Sequence, residues 1–110
     1  MAAIQKIGYF HLDNEGGFVC YGRVNWIDPE TGDTGTFDGG RIPVGQAEDL
    51  KPGDNGVPDG AIINLEIRII AGNDRGTGPH YKFDKSLGSH SDWEITGTTL
   101  VSSVHFKGVN

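Results

Sequence analysis

Gly60-Ala-Ile-Ile-Asn-Leu-Glu-Ile-Arg-Ile-Ile-Ala71 decides the fold class of this chain. In an extended backbone Ile63, Leu65, Ile67, Ile69 and Ala71 fall on one side, and Asn64, Glu66 and Arg68 fall on the other. Alternation with a period of two in β-branched residues marks a strand with one buried and one wet face. A helix would scatter the same apolar residues around its axis. The stretch therefore predicts an antiparallel β protein around a strand at Ala61–Ala71.

A second strand is expected at Phe18–Ile27, with Phe18, Cys20, Val24 and Trp26 on one face and Val19, Tyr21, Arg23 and Asn25 on the other. Ile4–Leu12 precedes it, and Asp13-Asn-Glu-Gly-Gly17 reads as the turn between them. Asp28-Pro-Glu-Thr-Gly-Asp33 is a hairpin signal, because Pro presets φ and Gly tolerates positive φ; Thr34–Phe37 returns from it. Gly39-Gly40 breaks the run, and Pro43 demotes Arg41–Val44 to an edge or a bulge. Gly45–Leu50 reads as a strand end or one helical turn, and Lys51–Asp59 as loop. Beyond the central strand, Gly72–Pro79 reads as a long polar loop, Tyr81–Phe83 as a short strand and Lys85–Ser91 as another loop. Trp93–Thr98 and Leu100–Lys107 close the chain, the latter with Leu100, Val104 and Phe106 on one side. Seven or eight strands with no helical period predict one all-β domain, a single antiparallel β-sandwich of immunoglobulin-like or jelly-roll character.

Composition narrows the function classes. The chain has 110 residues, enough for a core without covalent staples. Eighteen glycines exceed the usual share of about 7% and are spread without period, which points to many tight turns. The formal charge of −6 argues against nucleic acid and against anionic membranes. Cys20 is the single cysteine, so no internal disulfide is possible, and a buried apolar role is expected for it. Met1-Ala-Ala-Ile-Gln-Lys lacks a basic segment followed by an apolar one, and no apolar run reaches the roughly 20 residues of a membrane span. The expected location is the cytosol, or release without a conventional leader.

No stretch carries a specific catalytic or cofactor motif. Asp13-Asn14-Glu15 and Asp28/Glu30/Asp33 offer oxygen ligands for Ca²⁺, but the spacing is not that of an EF-hand, and Asp and Asn form turns for local reasons. No cofactor is expected beyond this weak Ca²⁺ option. His11, His80, His90 and His105 show no i, i+2 or i, i+4 spacing for zinc. Ser89-His90-Ser91-Asp92 holds the letters of a hydrolytic triad without a nucleophile elbow. Gly72–Gly78 has the composition of a phosphate loop but lacks Gly-Lys-Ser/Thr and a following helix.

Polar loops on a rigid sandwich are the usual carriers of binding. Asn73, Asp74, Arg75, His80, Tyr81, Asp92 and Trp93 are the candidate ligand-binding residues, on the two loops after the central strand. Asn, Asp and Arg would fork onto sugar hydroxyls while an aromatic face covers the ring. The expected function is non-enzymatic, lectin-like recognition of a glycan or cell-surface ligand. The alternative is a membrane-associating, cytolysin-like or toxin-like component, attached at a surface or serving as a partner subunit. A small hydrolase ranks third. An edge strand at Arg41–Val44 or Ile4–Leu12 is expected, the latter able to pair across a two-fold axis into a homodimer.

In size, glycine content and strand rhythm the chain resembles small single-domain lectins and cytolysin-like β-sandwich proteins of fungi and bacteria. The resemblance implies the sandwich and these two classes of function. It brings no functional positions with it.

Overall fold

The computed structural model describes residues 4–110; residues 1–3, part of the stretch read above for a leader, lie outside the described residues. Nine strands and one 3-10 turn follow in order: β1 (Lys6–Ile7), β2 (Tyr9–Asn14), β3 (Cys20–Ile27), β4 (Thr34–Asp38), β5 (Ala47–Leu50), the 3-10 turn Pro52–Asn55, β6 (Ile62–Ile69), β7 (Arg75–Phe83), β8 (His90–Gly97) and β9 (Ser102–Val109). They form a five-stranded sheet, β1-β7-β6-β3-β4, and a four-stranded sheet, β5-β2-β8-β9.

β6 realises the alternation of its sequence. Ile63, Leu65, Ile67 and Ile69 are buried, and Asn64, Glu66 and Arg68 stand on the outer face. β3 pairs with it antiparallel from Cys20 opposite Ile69 to Ile27 opposite Ile62. Phe10, Leu12, Leu50, Trp93 and Ile95 of the smaller sheet meet these residues in one core. Phe10 and Tyr81 touch edge to face across the two layers, with ring centroids 5.8 Å apart. Leu50 lies on Gly22, where an added Cβ would sit 2.6 Å from its side chain.

The sheets are mixed, not purely antiparallel. β1 pairs with β7 and β2 pairs with β8 in parallel. The physical reason lies at Gly8. The chain leaves the larger sheet after Ile7 and enters the smaller one at Tyr9, so one extended segment serves both layers. An added Cβ at Gly8 would come within 2.0 Å of the Leu87 carbonyl oxygen. Ile4–Leu12 is accordingly two strands. β2 lies between β5 and β8, so within the stretch expected to pair across a two-fold axis only β1 (Lys6–Ile7) stands at a sheet edge. Arg41–Val44 forms no strand and holds only a bridge from Ile42 to Cys20. Among the described residues the edges are β1, β4, β5 and β9.

The segment Gly72–Pro79 is the largest departure from expectation. Most of it is strand β7, paired to β6 with a register shift between Asn64 and Glu66. His80 sits opposite Asn64 and Gly76 opposite Glu66, so β7 carries extra residues there. Asn64 stitches this bulge by donating to the carbonyls of Thr77 (3.1 Å) and Pro79 (2.9 Å). A bulge is where a sheet admits Gly and Pro, which explains why the segment reads as loop.

Candidate functional site

The seven residues expected to converge occupy four separate places. Asn73, Asp74 and Arg75 lie at the β6–β7 turn. Asp74 accepts from the Ile69 amide at 2.9 Å and pairs with Arg68 at 3.2 Å. Arg75 donates to Ser102 Oγ at 2.8 Å. Tyr81 and Trp93 are core residues: Trp93 Nε1 donates to Ser91 Oγ and Ser91 Oγ to Tyr81 Oη, both at 2.8 Å. Their rings are not free to cover a sugar. Alternation in β7 and β8 turns them inward, and no polar loop carries them. Asp92 is on the outer face of the smaller sheet, opposite His11, and His80 is on the outer face of the larger one, opposite Asn64. The triad letters separate likewise. Ser91 is buried while His90 points outward and stacks on Tyr9 at 4.8 Å.

Around Asp92 the smaller sheet carries an acidic face with two histidines. His11 Nδ1 lies 2.7 Å from Asp49 Oδ1, tying β2 to the edge strand β5. Partial burial pulls the His11 pKa down, but the hydrogen bond and charge of Asp49, with the charges of Asp92 and Asp13, outweigh it. The net value lies above the ordinary 6.5. The folded state thus holds this proton more tightly than the unfolded chain. The pair contributes stability that is fully present below that ordinary value and fades as pH rises through the folded one. Asp49→Asn is expected to lower the urea midpoint more at about pH 5.5 than at about pH 8.5; equal losses at both would remove the coupling. Among the described residues no group of three or more His, Cys, Asp or Glu is arranged to hold a metal ion. In the loops weighed for Ca²⁺, Asn14 is buried in an internal network and Asp28 accepts from the Glu30 amide.

One end of the sandwich is built differently. There β8 ends at Gly97 and β9 begins at Ser102. Gly97 has φ +102°, and a Cβ on it would lie 2.3 Å from the Val101 oxygen, so the turn closes tightly. Thr98 and Val101 are joined twice: the Thr98 amide donates to Val101 O at 2.8 Å, and the Thr98 side-chain Oγ1 accepts from the Val101 amide at 3.1 Å. The β6–β7 turn clasps this hairpin: the Asn73 amide donates to Thr99 O at 3.0 Å and Asn73 Nδ2 to Leu100 O at 3.3 Å. Gly72 fits under Thr99 only because it lacks a side chain, since a Cβ would meet the Thr99 oxygen at 2.4 Å. Gly17 braces the other side through Gly97 O at 2.9 Å.

The braced turn presents Leu100 and Val101 to solvent, 68% and 72% exposed. From sequence the last strand is expected to start at Leu100, on one side with Val104 and Phe106; the turn instead places Leu100 ahead of Ser102, the first residue of β9. From Gly97 to Ser103 no residue is charged. Beside Leu100 a cleft of about 400 Å³ is lined by Tyr21, Arg68, Asn73 and Asp74. The sequence signal for this site was an adjacent Leu-Val pair between Gly97-Thr-Thr99 and Ser102-Ser103, where a turn would ordinarily be polar throughout.

No protein-family description matches the chain, and no curated protein matches it. Solved structures do resemble it. A structure of pneumolysin, described as a sugar-binding protein, superposes with a TM-score of 0.53 and 18% identity over 94% of this chain and 23% of that one. Listeriolysin O gives a TM-score of 0.47 with 21% identity, over 94% of this chain and 22% of that one. The membrane-binding domain of pneumolysin gives 0.42 with 17% identity, over 92% of this chain and 96% of that one. The chain thus spans less than a quarter of the full-length pneumolysin and listeriolysin O chains. The pneumolysin likeness establishes a shared fold.

Proposed function

We propose that the protein is a non-enzymatic binding module, a toxin-like component that attaches to lipid surfaces by the Leu100–Val101 end of its sandwich. One observation carries this reading: two adjacent large apolar side chains held in water by a turn with hydrogen bonds on both sides. Scattered surface apolar residues are ordinary, but a braced, uncharged apolar tip is the form that interfacial anchors take. Thr98, Thr99 and Ser103 flank the pair with further uncharged hydroxyl side chains. The acidic chain favours neutral over anionic lipid. The fold shared with part of pneumolysin, a protein described as sugar-binding, supports the reading as a binding module.

Burying both side chains in the interface is worth roughly 3 kcal/mol. Replacing them together, Leu100→Ser with Val101→Ser, is therefore expected to weaken binding to phosphatidylcholine vesicles about a hundredfold, at a factor of ten per 1.4 kcal/mol. Both side chains are solvent-exposed, so folding should be unaffected. Co-sedimentation with vesicles reads the effect. A natural-sequence protein that stays in the supernatant, or a double variant that still sediments, would remove the proposal.

A further inference from the structure

The outer face of the five-stranded sheet holds a second polar cleft, away from the apolar tip. It measures about 170 Å³ and is lined by Asn25, Trp26, Ile27, Ile62, Asn64 and His80. Three neighbouring strands supply it in register. Asn25 of β3 faces Asn64 of β6, which faces His80 of β7. Ile27 and Ile62 pair one step further along, and Ile27 is 44% exposed. Trp26 pairs with buried Ile63, so its indole lies on the inner face, packed on the core and against Gly35 of β4, where a Cβ would meet the ring at 2.6 Å.

Hydrogen-bond valences give the cleft its chemistry. Asn64 spends its amide hydrogens on Thr77 O and Pro79 O, which leaves Oδ1 as an acceptor. His80 Nδ1 is 3.0 Å from Gly78 O. A carbonyl only accepts, so Nδ1 carries the hydrogen and neutral His80 offers Nε2 as an acceptor. Among the described residues the Asn25 side chain makes no hydrogen bond, so its amide has both donor and acceptor to give. None of the lining residues is an acid, a lysine or an arginine.

The geometry points to a binding site for a neutral sugar ring, the terminal residue of an uncharged glycan. Hydroxyls both donate and accept, so they satisfy two fixed acceptors and one amide. The apolar ring face goes to Ile27 and Ile62. A phosphate, sulfate or carboxylate would meet two acceptors and no cation. The volume is below the roughly 300–1,000 Å³ of drug-sized sites, which suits one ring, not an extended chain. The β7 bulge is what sets His80 beside Asn64, giving Thr77-Gly-Pro79 a role in the site.

The test is a glycan array carrying neutral glucose-, galactose-, mannose- and fucose-terminated chains alongside sialylated and sulfated ones. It is followed by a calorimetric titration with the best neutral hit. The proposal expects neutral hits, about tenfold weaker for Asn25→Ala and for His80→Ala, as loss of a hydrogen bond implies. It expects no loss for the Leu100→Ser/Val101→Ser protein, which separates this site from the membrane reading. His80 is exposed, so His80→Ala tests the site even if Asn25→Ala fails to fold. An array without neutral hits, hits confined to acidic glycans, or titrations indifferent to His80→Ala would overturn the proposal.

Discussion

Replacing Asn14 by leucine is expected to destabilise the protein by roughly 4 kcal/mol, lowering its melting temperature by about 15 °C or more. Asn14 is fully buried at the end of β2. Its Nδ2 donates to Phe18 O at 2.6 Å and to Ile42 O at 2.9 Å, and its Oδ1 accepts from the Gly16 amide at 3.0 Å. Its own backbone also joins the Gly45–Gln46 segment, the Asn14 amide donating to Gln46 O at 2.9 Å and the Gly45 amide to Asn14 O at 2.7 Å. One side chain therefore holds two irregular segments that lack ladder bonds of their own. Leucine matches the volume and satisfies none of the three partners. Each buried group left unpaired costs about 1–3 kcal/mol. Thermal unfolding followed by circular dichroism checks this. A drop of only a few degrees would mean water replaces the amide.

The second large effect is expected at Gly8. Alanine there would place its Cβ 2.0 Å from Leu87 O and 3.0 Å from the Leu87 carbonyl carbon. Both are backbone atoms, so no rotamer change relieves the clash. Gly8 also donates to Ser89 O at 2.8 Å, which fixes the Leu87–Ser89 strand entry against the crossing. Overpacking of this kind costs about 3 kcal/mol or more when the backbone must move. The measurement is the urea midpoint of Gly8→Ala beside that of Gly88→Ala, since a Cβ at Gly88 meets nothing within 4 Å. Similar midpoints for the two would show that the crossing is loose.

Much of the larger sheet was legible in the sequence because its central strands obey local rules. The inward set of β6 and the inward Cys20 and Val24 of β3 follow from alternation alone. Cys20 is buried as its apolar neighbours imply, and burial pushes its thiol up to about 11. The crossing at Gly8 was not legible, because Ile4–Leu12 alternates smoothly and the steric reason for glycine lies 79 residues away at Leu87. Strand β7 was hidden by Gly76, Gly78 and Pro79, whose place in a bulge depends on Asn64 of another strand. Tyr81 and Trp93 look like surface aromatics until Ser91 is seen to satisfy their polar tips from within the core. The candidate glycan loops dissolved for that reason, while His80 kept a place in a cleft. The apolar tip is not legible in the sequence, because Leu100 fits a strand pattern with Val104 and Phe106 equally well. Only the turn between Thr98 and Val101 turns it outward.

The account rests on the Leu100 end entering lipid while the rest of the sandwich stays in water. An environment-sensitive fluorophore on Leu100→Cys tests this, with the same label on Lys51→Cys, just beyond the opposite end of β5, as the reference. The buried Cys20 thiol stays unlabelled. With phosphatidylcholine vesicles the account expects a blue-shifted emission at position 100, quenched by quenchers carried on the lipid chains, and no change at position 51. An unchanged spectrum at position 100, or equal shifts at both ends, would contradict it.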